Sequence, residues 1–180
     1  MIKKPKYKIC IAGAIEPASV ALDTLDKAKR VGRKIAKSGH FVVTGAHHGF
    51  PMFASMGARA AGGDVIYFSP AGNKSEHTDG YRLDDNHADI IIYTGFGHAG
   101  ANVFMAKSAD AVILGLGKLE GLHEFGLALQ AGKPVGVLKG NWEMEEFVEK
   151  LSLAGKHSHI PIVFEEDPEQ LVLKLIELIK

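Results

Sequence analysis

Cysteine is nearly absent. The single Cys10 in 180 residues excludes an intramolecular disulfide and any multi-cysteine metal site. It lies in an apolar run, where a small buried thiol is expected, and no electropositive neighbour marks it as a nucleophile. Charge of one sign is also lacking: 21 Lys and Arg against 21 Asp and Glu give a formal net charge of zero. No basic excess argues for nucleic acid, and no acidic tail argues for a solvating segment. The one local bias, Lys3, Lys4, Lys6 and Lys8, reads as a solvated arm. No apolar run approaches the ~18 residues that span a bilayer, and the N-terminus does not read as a signal peptide. The expected location is the cytoplasm, with no membrane partner. The phosphate-loop pattern G-x-x-x-x-G-K-[ST] is missing too, which argues against ordinary ATPase chemistry.

What remains is an ordinary globular composition, 46% hydrophobic and 23% charged, of a length that suits one domain over residues 1–180. Apolar runs Tyr7–Ala12, His40–Thr44, Asp64–Ser69, Asp89–Tyr93, Asp110–Leu114, Pro134–Leu138 and Ile160–Phe164 read as strands. Between them, Ser19–Ser38, Met52–Ala61, Ala101–Ala109, Leu122–Ala131 and Glu143–Leu153 read as helices. In the first helix Ala21, Leu25, Ala28, Gly32 and Ile35 share one small-residue face. Asp167-Pro168-Glu169-Gln170 opens a last helix, with an Asp cap, Pro at the first position and Gln placed for a capping box. The stretch Pro70–His87 is polar and reads as a long loop, a feature that is often functional. Strands separated by helices imply right-handed crossovers and a mainly parallel sheet, an α/β doubly wound domain.

Such a sheet holds its ligand outside the carboxyl ends of the strands, at the topological switch point. This selects the loops at 13–18, 45–51, 70 onward, 95–100 and 115–121, four of them rich in glycine. Glycine lets backbone approach a ligand, and the following helix N-termini present N–H groups to anions. A phosphate-bearing ligand is the simplest inference, although each glycine alone is accounted for by a tight turn. Gly95 to Gly100 has GxG spacing but no acidic partner on a following strand. Glu124 is placed in the first turn of its helix, where a carboxylate either meets a ribose or water beside bound phosphate or merely complements the helix dipole. His47, His48, His98 and His123 map to the same edge and could act as acid–base groups or ligands. No pair has the i, i+4 helical spacing of a specific motif, so no metal is assigned.

Thr44-Gly45, Gly49-Phe50-Pro51-Met52, Gly57-Ala58, Gly62-Gly63, Ser69-Pro70, Thr94-Gly95, Asn102-Val103, Ser108-Ala109-Asp110-Ala111-Val112, Glu124, Leu127-Ala128-Leu129 and Gly132-Lys133-Pro134 follow one another in an order and spacing that resemble the LOG (Lonely Guy) family, SLOG-type nucleotide phosphoribohydrolases. The resemblance covers roughly residues 7 to 140. It implies a Rossmann-like fold, a homodimer, and hydrolysis of the N-glycosidic bond of a nucleoside 5′-monophosphate to base and ribose 5-phosphate. Related members bind nucleotides without known turnover, and one branch carries molybdenum cofactor. The legacy label "possible lysine decarboxylase" finds no pyridoxal phosphate motif here. On this resemblance Glu124 and Lys107 are the expected catalytic residues. Gly13, Gly45, Gly49, Met52, Asn102, Gly115, Gly117, Lys118, Gly121 and Leu122 are expected to hold an AMP-like ligand, with no resident cofactor.

The sequence departs from the family where chemistry is concentrated. Lys107 stands for an arginine and Ala101 for a second one, which removes bidentate forks suited to phosphate. The loop from Gly115 to His123 is a residue longer than the family's, and Gly121 replaces a threonine. Retained Glu124 favours a hydrolase, and the departures favour a nucleotide sensor or cofactor carrier of the same fold.

Overall fold

In the computed structural model, residues 6–14, 22–115, 119–140, 142, 145–153 and 159–179 are described. They build a seven-stranded sheet from β1 (Lys8–Ala12), β2 (Phe41–Thr44), β3 (Val65–Ser69), β4 (Ile90–Tyr93), β5 (Ala111–Leu114), β6 (Val135–Leu138) and β7 (Ile162–Glu165). Every pairing is parallel, in the order β4-β3-β2-β1-β5-β6-β7. The helices are α1 (Leu22–Lys37), α2 (Phe50–Ala60), α3 (Gly97–Ser108), α4 (Leu119–Gln130), α5 (Glu145–Ser152) and α6 (Pro168–Glu177). No helix among the described residues is long and apolar enough to cross a membrane.

The period-2 alternation of each central strand divides the core into two layers. Ile9, Ile11, Val42, Val65, Tyr67, Ala111 and Ile113 face Ala28, Val31 and Ile35 of α1, Phe50 and Ala54 of α2, and Leu171 and Leu175 of α6. Cys10, Ala12, Val43, Val112, Leu114, Val135 and Val137 face Met105 of α3, Phe125 and Ala128 of α4, and Val148 of α5. Cys10 is buried as expected, and burial, with Glu124 adding to it, pushes its thiol pKa well up.

The small face of α1 serves a different neighbour from the expected one. Gly32 lies so close to α2 that a Cβ there would stand 1.8 Å from the Ala54 carbonyl oxygen, and a Cβ on Gly57 would stand 2.0 Å from that of Lys29. The two helices are notched into each other at these glycines, while Ala28 and Ile35 of the same face pack on the sheet. Asp167 caps α6 by accepting from the N–H groups of Glu169 and Gln170, both at 2.9 Å. The N–H of Asp167 itself donates to the Glu165 carboxylate at 3.3 Å.

Three boundaries differ from the sequence reading in ways that bear on function. Residues 70–87 are not all loop: Glu76–Gly80 forms one π-helical turn. Its cause is His77, which is fully buried. Its Nε2 donates to the Asp84 carbonyl at 3.0 Å, so Nδ1 accepts from the Ser69 hydroxyl at 2.8 Å. Helix α3 begins at Gly97, four residues before Ala101. Helix α4 begins at Leu119, which places Glu124 in its second turn rather than its first.

Candidate functional site

Strand order reverses between β1 and β5, so the switch point lies between Ala12 and Leu114, which are register partners. Beyond them the Gly115 N–H donates to the Ala12 carbonyl at 2.7 Å. Gly13 takes a φ of +153° and approaches Gly115 so closely that a Cβ there would be 3.3 Å from its backbone. A Cβ on Gly115 would lie 2.3 Å from the Phe50 ring. Phe50 is fully buried behind the two glycines, and its N–H donates to the Ala14 carbonyl at 2.9 Å. The two glycines thus let the ends of β1 and β5 pack against each other and against the Phe50 ring, and they leave the backbone at the switch point without side chains.

Gly49 precedes α2 with a φ of +74° and has no side-chain cap. Met52 follows in the first turn, partly exposed. Gly45, buried, directly follows β2. The space over it is taken by the His47 ring, whose Cδ2 would be 2.8 Å from a Cβ at position 45. Asn102 lies on α3, with a buried Oδ1 that has no hydrogen-bond partner, and the Oγ1 of fully buried Thr44 shares that state. Gly121 and Leu122 belong to the first turn of α4. Gly117 and Lys118 lie outside the described residues.

Glu124 is buried to 8% exposure, near enough to Cys10 to contribute to the rise of its thiol pKa. Lys107 is not brought to this group. It occupies the last turn of α3, ten residues past Gly97 and so about 15 Å farther along the helix, toward the opposite edge of the sheet.

The histidines divide. His47 and His98 are in ring contact, with centroids 5.0 Å apart. Tyr81 meets His98 edge-to-face at 5.1 Å. Burial, then the neighbouring His98 and His48, push the His47 pKa down to about 4. His123 is exposed on α4. Among the described residues no group of three or more His, Cys, Asp or Glu is arranged to hold a metal ion. Tyr81 lies within the 70–87 stretch that reads from sequence as a long loop. It arrives on the segment anchored by His77, and nothing in the local pattern announces that anchor.

The SLOG cluster4 family model matches residues 6–172. An uncharacterized protein of Archaeoglobus fulgidus is 34% identical over 132 residues, 73% of this chain and 82% of its own. Among solved structures, the molybdenum cofactor carrier protein MCP of Chlamydomonas reinhardtii is similar with a TM-score of 0.78 and 27% identity, over 97% of this chain and 98% of that one. The molybdenum cofactor binding protein of the phototrophic bacterium Rippkaea orientalis is similar with a TM-score of 0.76 and 27% identity, over 98% of each chain.

Proposed function

The chain belongs to the SLOG cluster4 family, and from that premise we propose that it binds and carries a phosphate-bearing heterocyclic molecule, molybdenum cofactor being the cargo that fits best. The observation that carries this reading is the bare backbone at the switch point, where Gly13 and Gly115 abut. Helix N-termini hold a dianionic phosphate through their unpaired N–H groups without side-chain charge, and α2 and α3 both start at this edge of the sheet, so loss of the family's arginines does not remove the means of binding. Two cofactor-binding relatives share nearly the full length of the chain, which supports the choice of cargo. The test is purification from a host that makes the cofactor. Molybdenum and oxidised-pterin fluorescence should co-purify in equal amounts, and absence of both overturns the reading.

A second reading is hydrolysis of the N-glycosidic bond of a nucleoside 5′-monophosphate, with Glu124 as the acid–base group. The buried carboxylate beside β1 favours it, because desolvation tunes such groups for proton transfer. Incubation with AMP, followed by chromatography of released base, tests it. Release that is lost in Glu124→Gln supports hydrolysis, and no release by the wild type removes it.

A further inference from the structure

Three loops from three successive strands bring their rings together. His47 follows β2, Tyr81 follows β3, and His98 is the second residue of α3, after β4. Their contacts, 5.0 Å for His47–His98 and 5.1 Å for Tyr81–His98, fall within the usual range for aromatic pairs. His98 is exposed and the other two rings are partly so, so the cluster is not sealed into the core. Tyr81 and His98 stand at 86° to each other, and an edge-to-face pair leaves an L-shaped notch that admits a flat ring.

The backbone is strained to build this wall. The two non-glycine residues with positive φ among those described are Ala46 at +63° and Arg82 at +53°, each next to a ring of the cluster. Strain of this kind collects where side-chain placement is functional. His47, with its pKa near 4, is uncharged at neutral pH, so this wall is chemically distinct from the phosphate-binding backbone at Gly13 and Gly115. Strands are spaced about 4.8 Å apart, which puts the loop after β2 about 7 Å from the β1–β5 boundary. A phosphate at the boundary thus leaves a linked heterocycle within reach of the rings.

We propose that His47, His98 and Tyr81 form a stacking wall for the planar heterocycle of the bound molecule and thereby select ring-bearing phosphates. This rests on the binding reading above. The probes are 6-hydroxymethylpterin monophosphate, titrated by its fluorescence, and inorganic phosphate as its competitor. His98→Ala and Tyr81→Ala should each weaken the pterin phosphate about tenfold, the size of losing one base–aromatic stack. His98→Phe and Tyr81→Phe should restore most of that affinity, and the competition constant of phosphate should stay within twofold throughout. Alanine variants that bind the pterin phosphate as tightly as the wild type overturn the wall while leaving the binding reading intact. Equal loss of both probes, or no rescue by phenylalanine, overturns it as well, since it would mark a general role in folding. A wild-type chain that binds neither probe overturns the wall and the binding reading together.

Discussion

Substituting His47 by Gln should flatten the stability of the protein between pH 6.5 and pH 4. The His47 pKa falls from an ordinary 6.5 to about 4 because burial, then His98 and His48, disfavour its charged form. Within that window the unfolded chain holds a proton that the folded chain does not, so stability rises with pH and is lost as the pH falls. At 1.36 kcal/mol per pH unit the whole difference is about 3 kcal/mol, of which about 2 kcal/mol is gone by pH 5. Asp84 does not confuse the window. Burial raises its pKa, but hydrogen bonding and charge from His87, with bonds from Asn86, outweigh this and hold it below the ordinary 3.8. Its contribution, like that of Asp167, whose pKa is also lowered, is lost only as the pH falls beneath that value, and that of Glu165 only beneath its own ordinary 4.5. Urea denaturation at pH 7 and pH 5, with equal m-values, gives the measurement. The wild type should lose about 2 kcal/mol more than His47→Gln between the two. Equal losses would refute the placement of His47 as a buried, neutral imidazole.

Further outcomes follow from close contacts. Gly32→Ala should destabilise by ~1–3 kcal/mol through overpacking against Ala54. Helix propensity alone predicts a gain of about 1 kcal/mol, so the sign of the change in denaturation midpoint decides between them. Gly115→Ala should abolish phosphate binding by calorimetry and destabilise the fold, because its Cβ meets the Phe50 ring, and Phe50→Leu in the same chain should recover part of both. Ala46→Gly should raise the thermal midpoint slightly, since it relieves ~1–2 kcal/mol of left-handed strain at φ +63° against ~0.5–1 kcal/mol of added backbone entropy. The same substitution should weaken pterin phosphate binding if that strain serves to place His47.

The strands and their parallel pairing were legible because the buried strands are short apolar runs closed by glycine and separated by helices, whereas the strand order and the place of the switch point between β1 and β5 come from the fold. The cap at Asp167 was legible because its chemistry is local. What escaped was what depends on how side chains and helix ends settle in the fold. Residues 70–87 look like solvent-exposed chain until Ser69, a neighbour in sequence, is seen to hold His77 in the core. Gly45 reads as a ligand-facing glycine, and only the fold reveals that an imidazole two residues later fills the space. Lys107 matched a family position by order and spacing alone, and only the fold shows that it stands in the last turn of α3. Helix starts were the weakest element because Gly97 and Gly100 mimic a loop in sequence, whereas in α3 they permit a turn that is already helical.

The position of Glu124 bears most directly on turnover against carriage. In the second turn of α4 it lies past the range over which a helix dipole acts strongly, so complementing the dipole does not account for it. At 8% exposure, and close enough to influence a thiol on the central strand, its carboxylate faces the sheet beneath the crevice. A glycosidic acid–base group must come within hydrogen-bond reach of the bond it cleaves, and so the hydrolase reading requires the ligand to touch this largely buried carboxylate. A carrier has no such requirement, because there the same carboxylate need only hold the start of α4 against β1 and β5. The two roles separate in one variant. Glu124→Gln should leave affinity for pterin phosphate within about threefold while lowering the unfolding midpoint. A loss of binding without loss of stability would instead place the carboxylate against the ligand and return the advantage to hydrolysis.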